Sequence, residues 1–101
     1  MIIYKNMIKL INDFLSAPTE TETTEKFCNQ YMDMFYTYSN KLNSEVSLQC
    51  FDIFDDINWL CDSYEPENLI RTSDPYCIDE FGLRDKLVIL INKLKKFGLN
   101  A

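Results

Sequence analysis

Four stretches of this chain return an apolar side chain every three or four positions, and only two glycines and three prolines interrupt its 101 residues. That spacing is the helical period. So little glycine leaves few of the tight turns that hairpins need. The pattern therefore confines the chain to helices packed on helices: an all-α protein, read here as an antiparallel four-helix bundle. A hydrophobic content of 47% and an aromatic content of 14% are enough for a packed core and exclude a disordered chain. The length suits one domain, residues 1–101.

The first helix is predicted over about residues 2–16, with Ile3, Met7, Leu10, Ile11 and Phe14 on its apolar stripe. Ser16-Ala17-Pro18 ends it, because proline disfavours helix in the residue before it. Thr19 or Thr21 is expected to cap the second helix, with Glu22 three residues after Thr19 as in a capping box. Phe27, Tyr31, Met34, Phe35, Tyr38 and Leu42 share one face of that helix, an aromatic stripe better suited to a core than to a cofactor. The polar residues 40–44 are expected to form the following loop.

The third helix is predicted over about residues 45–64. Val46, Cys50, Ile53, Phe54, Ile57, Leu60, Cys61 and Tyr64 lie on one arc, and Glu65-Pro66 stops it. Residues 65–79 then form a long connection containing Pro66 and Pro75, of a kind that is uncommon and often functional. Asp79 is the expected cap of a last helix over residues 80–97, with Leu83, Leu87, Leu90, Ile91, Leu94 and Phe97 as its stripe. Lys93, Lys95 and Lys96 complement the dipole at its end, and Gly98 terminates it.

Charge is distributed unevenly over these elements. Between Glu45 and Asp85 there are eleven acidic residues and only two basic ones, Arg71 and Arg84, a formal charge of −9 in a chain whose total is −6. Such a field repels nucleic acid and anionic membrane and attracts a basic protein surface. On a helical wheel Asp52, Asp55, Trp59 and Asp62 fall within roughly 80°, opposite Ile53, Ile57, Leu60 and Tyr64, with Asp56 beside them. Like charges at this spacing destabilise an isolated helix by about 0.2–0.5 kcal/mol per pair. Asp62 adds a dipole penalty near the C-terminus. Glu65 and Glu67 continue the field beyond the helix. A solvated face would account for the charges alone. Trp59 has two readings: an interface anchor within the acidic stripe, or a ring buried between two helices.

Other chemistries are excluded residue by residue. The chain has no histidine, so neither Ser-His nor Cys-His catalysis nor a histidine zinc site can form. Cys28, Cys50, Cys61 and Cys77 contain no CxxC pair and are expected mainly as core filler, with a disulfide or metal role as the alternative. DIFDDINWLCD looks superficially like a calcium loop but lacks the sixth-position glycine and the terminal glutamate. There is no glycine-rich phosphate loop. The terminal KLKK is better suited to capping a helix end than to binding nucleic acid. No cofactor is expected. Paired carboxylates keep an enzyme as the weakest reading, since nothing marks a substrate cleft. No apolar run nears the roughly 18 residues of a membrane span. The opening MIIYKNMIKLINDFL is broken by Lys5, Asn6, Lys9 and Asn12, unlike a signal peptide, so a cytosolic location is expected.

The run FDIFDDINWLCDSYEPE, followed by YCIDEFGLRDKLVILINKLKKF, resembles the colicin-like self-protective immunity family of bacteria, of the colicin D type, which includes immunity proteins of contact-dependent inhibition systems. The shared pattern is Asp62, Tyr64, Glu65-Pro66, Tyr76, Ile78-Asp79 and Gly82-Leu83, with MIKLINDFLS and Phe27-Cys28 earlier in the chain. The connection after Pro66 is longer here than in that pattern. The resemblance implies a compact helical protein without catalysis. It would cover the active site of a secreted nuclease toxin, with acidic residues imitating the phosphates of transfer RNA. Asp62, Glu65 and Glu67 match the family's acidic positions. The expected docking set is then Asp55, Trp59, Asp62, Glu65 and Glu67, with Asp52 and Asp56 at the rim. The expected partner is the basic nuclease domain of a toxin, bound one to one by a monomer. An adaptor that binds an unrelated basic peptide through the same face is the alternative.

Overall fold

A computed structural model describes residues 1–100, and among these the chain forms five helices, four of them substantial. They are α1 (Ile3–Ser16), α2 (Thr21–Glu45), α3 (Leu48–Ser63), the short α4 (Asn68–Ser73) and α5 (Glu80–Lys96). α1 packs on α2, α2 on α3, and α5 closes against α3 and, less extensively, α1, with antiparallel packing contacts. The molecule measures 40 × 24 × 24 Å. No helix among the described residues is long and apolar enough to cross a membrane.

The stripes read from the sequence meet in one core. Ile3, Met7, Ile11 and Phe14 of α1 are buried, joined by Ile8, which the sequence reading left out, while Leu10 is only half-buried. α3 contributes Cys50, Ile53, Phe54, Ile57 and Cys61, and α5 contributes Leu83, Leu87, Ile91 and Leu94. An aromatic seam crosses the core. Phe14 stacks on Phe27 with centroids 4.2 Å apart, and contacts continue from Phe27 to Tyr31, Phe35 and Phe51. Tyr31 is fully buried, and its hydroxyl donates to the Phe54 carbonyl at 2.8 Å, joining α2 to α3. The four cysteines are free thiols, with Cys28, Cys50 and Cys61 buried as core filler.

Four local expectations are corrected. Residues 40–44 are helical: they contain neither glycine nor proline, and Leu42 is fully buried, so packing carries α2 on to Glu45. α3 accordingly starts at Leu48, where the Ser47 hydroxyl accepts the Cys50 N–H at 3.2 Å. The Thr19–Glu22 capping box does not form. The N-cap of α2 is Glu20, whose side chain caps nothing, although its carbonyl accepts the Thr24 hydroxyl. Phe97 is 53% exposed, because the chain reverses at Gly98 (φ +84°) and Leu99 packs on the core instead. The Leu99 N–H reaches the Leu94 carbonyl and the Gly98 N–H that of Lys95, a Schellman-type ending. The expected Asp79 cap of α5 is present, its carboxylate accepting the Gly82 N–H at 2.8 Å.

One cap could not be read from local sequence. α1 lacks a side-chain cap of its own, yet Glu45, at the end of α2, accepts the Ile3 and Tyr4 N–H groups, each at 2.9 Å. These are two of the unpaired donors at a helix start, and the carboxylate also opposes the positive end of the dipole. Glu45→Ala should therefore lower the urea midpoint by the equivalent of about 1–2 kcal/mol with an unchanged slope. A loss below about 0.3 kcal/mol in that measurement would show that the cap contributes little.

Buried ionisable groups set a second expectation. Burial, then the neighbouring Cys61 thiol and the Asp55 carboxylate, hold the Tyr31 hydroxyl well above its ordinary value of 10.0. The neighbouring Cys28 thiol, then burial, raise the Cys61 thiol above its ordinary 9.0. Both groups stay protonated in the fold but ionise in the unfolded chain, so their contribution is full below those ordinary values and shrinks as pH rises past them. Chemical denaturation across the alkaline range should show stability falling from about pH 9 upward. Tyr31→Phe should flatten the part of that decline above about pH 10 while costing about 1 kcal/mol at neutral pH for the lost hydrogen bond.

Candidate binding face

The acidic segment contains two arginines, and both are engaged internally. Arg84 pairs with Glu80 at 3.0 Å and lies over the Phe14 ring at 4.3 Å. Its guanidinium also donates to the carbonyls of Phe14, Leu15 and Pro18, closing the C-terminus of α1. Arg71 donates from Nη1 to the Glu65 carbonyl at 2.6 Å. Several carboxylates are likewise committed: Glu45 and Asp79 to helix starts, Glu80 to Arg84, and Asp74 to the Tyr76 N–H. Among the described residues the ion pairs are Lys9–Asp13 and Arg84–Glu80. Asp52, Asp55, Asp56, Asp62, Glu65 and Glu67 therefore carry their charge without an internal counter-ion.

The connection over residues 65–79 is not structureless. α4 occupies its middle, and a parallel bridge pairs Tyr64 with Ile78. The Glu65 N–H donates to the Ile78 carbonyl, and the Ile78 N–H to that of Ser63, both at 2.9 Å. The Glu67 N–H reaches the Glu65 carboxylate at 3.1 Å. Glu65 is thus fixed through its N–H by Ile78 and through its carbonyl by Arg71, which places its carboxylate just beyond the end of α3.

Between α2 and α3 the surface opens into two adjoining grooves. The first, about 450 Å³, takes Tyr36 and Ser39 from α2 and Asn58, Trp59 and Asp62 from α3, over a floor of Met32 and Phe35. The second, about 510 Å³, runs on from Met32 and Asp62 to Glu25, Glu65, Pro66 and Glu67. Asp62 and Met32 border both grooves. No lysine or arginine among the described residues lines either one.

The structure overturns one reading of Trp59, burial between two helices: the side chain is 64% exposed and outside the core. Trp59, Asp62, Glu65 and Glu67 are brought together along the grooves. The other three lie elsewhere on α3. Asp52 and Asp56 are exposed, and Asp55 is half-buried on the side whose charge reaches Tyr31; none of them lines a groove. Tyr36, which is 88% exposed, and Glu25 were missed. Tyr36 follows the half-buried stripe member Phe35 and so points away from the core, a signal available on the helical wheel. Glu25 reads from sequence as a first-turn charge on α2, and only the packing of α2 on α3 brings it opposite Glu65.

No family model matches the chain, and neither a curated protein nor a solved structure matches it. The resemblance to immunity proteins therefore rests on the quoted residues alone.

An exposed indole in an anionic groove has a measurable signature. Trp59 is the only tryptophan, so its emission should lie close to that of tryptophan in water, with quenching stronger by caesium than by iodide. Trp59→Ala should change stability by less than about 0.5 kcal/mol, as expected for a surface side chain. A blue-shifted emission or a loss above about 2 kcal/mol would return the ring to the core.

Proposed function

We propose that this chain is an immunity-type antitoxin, a binding protein without catalysis that covers the active site of a basic nuclease toxin. Its four long helices would act as an antiparallel four-helix bundle whose role is to hold the α2–α3 face rigid. One observation carries the reading. Uncompensated carboxylates at Asp62, Glu65, Glu67 and Glu25 share continuous grooves with the exposed Trp59, while both arginines of the acidic segment are engaged elsewhere. The resemblance around Asp62 and Glu65-Pro66 supports the same face.

The chemistry is complementary. A ribonuclease that cleaves transfer RNA must gather cationic groups around a phosphate. Carboxylates held on a stiff frame present that surface with fixed negative charge. Opposed fields raise association to as much as about 10⁸–10⁹ M⁻¹s⁻¹ at low salt, a rate suited to protecting the producing cell. A desolvated aromatic such as Trp59 would then slow dissociation.

An immunity gene should directly follow a toxin gene, so the test is co-expression with the toxin domain expected there, read as growth protection and as affinity of the purified pair. Reversing Asp62 and Glu65 together to Lys should weaken binding by about a hundredfold or more, since disrupting one buried charge pair costs about 2–5 kcal/mol and about 1.4 kcal/mol is tenfold. The wild-type complex should also weaken as salt rises. Unchanged affinity in a folded double variant would remove these residues from the interface. Capture of a basic peptide with no protection against the neighbouring toxin would assign the face to an adaptor instead.

A further inference from the structure

The first groove differs from the second in its balance of groups. It holds one carboxylate, Asp62, with three aromatic residues, Phe35, Tyr36 and Trp59, an amide and the Ser39 hydroxyl, whereas the second holds four carboxylates with one aromatic residue, Tyr64, and one amide, Asn29. From this composition we infer that the Tyr36–Trp59 groove is a slot for an arginine side chain of the partner, selective for guanidinium over ammonium. The inference rests on the reading of this face as a docking surface for a basic protein and specifies what enters it.

Geometry and charge favour that occupant. Tyr36 stands on α2 and Trp59 on α3, so the slot has an aromatic contribution from each helix, both well exposed to an incoming group. A planar, weakly hydrated guanidinium stacks on such faces, whereas an ammonium is a compact and strongly hydrated point charge. Asp62 offers the acceptor pair that a guanidinium engages in a fork. Asn58 and Ser39 line the same space, and an amide oxygen and a hydroxyl can each accept further N–H donors. Met32 and Phe35 give an apolar floor suited to the aliphatic stem. The volume of about 450 Å³ leaves room for one arginine side chain. The adjoining carboxylates of Glu25, Glu65 and Glu67 add a field that draws cations toward the slot without distinguishing arginine from lysine.

The experiment compares blocked tetra-arginine and tetra-lysine peptides of equal charge, titrated into the intact protein at low ionic strength. Binding is followed by Trp59 fluorescence and by the amide and indole N–H resonances. Tetra-arginine should bind about five- to tenfold tighter and shift the Trp59 indole and the Asn58 side-chain amide. Tyr36→Ala should bring arginine affinity down to that of lysine and leave lysine affinity unchanged; the high exposure of Tyr36 leaves the fold intact, as circular dichroism would verify. Asp62→Asn should weaken both peptides, arginine the more. Equal affinity for the two peptides, an arginine preference that survives Tyr36→Ala, or no binding of either would overturn the slot. The toxin protection assay does not depend on these peptides. A toxin held tightly by a protein with no arginine preference would therefore retire the slot alone.

Discussion

Tyr31 joins α2 to α3 through a hydroxyl that donates to the Phe54 carbonyl inside an aromatic seam. A buried phenol must find such a partner, because an unmet hydroxyl in the core costs about 1–3 kcal/mol. The bond fixes how far one helix slides along the other. That register decides which outward residues of α2 stand beside which outward residues of α3. In the register that this bond joins, Tyr36 shares a groove with Trp59 and Glu25 shares one with Glu65. The binding face is in this sense a consequence of core packing.

A second division of labour concerns charge. The fold uses Glu45, Asp79, Glu80 and Arg84 to close helix ends, and Arg71 to hold the Tyr64–Ile78 bridge against α4. These groups satisfy backbone donors and acceptors that would otherwise be left unpaired. Of the carboxylates that remain, Glu25, Asp62 and Glu67 face solvent along the grooves and Glu65, which accepts only the Glu67 N–H, lies among them. On α3 the like charges at helical spacing repel one another by a few tenths of a kcal/mol per pair. A partner that brings positive charge relieves that repulsion, which links the strain on α3 to the function proposed for it.

On the proposed reading, specificity and affinity would separate along the same face. The second groove would supply a broad negative field, which would govern encounter and respond to salt. The first would supply shaped contacts, which would govern residence and distinguish one cation from another. An inhibitor of a nuclease would gain from both, since a cationic cleft attracts any polyanion while its individual side chains are arranged for one.

Much of this was legible along the chain. Apolar spacing placed α1, α3 and α5 to within a few residues, Asp79 announced its cap, and the concentration of acid after Glu45 stood out. These depend on neighbours three or four positions apart, which the sequence lists directly. The chain alone could not end α2, because Asn40, Lys41, Asn43 and Ser44 are polar and no glycine stops them; burial of Leu42 against other elements does the deciding. Nor could it show Glu45 capping α1 across more than forty positions, or α4 ordering the connection that holds Glu65. Trp59 is the clearest case. Its place on the wheel permitted either burial against a neighbouring helix or exposure. The choice fell to the packing of α2 on α3, because a side chain's access to water depends on what other segments bring alongside it.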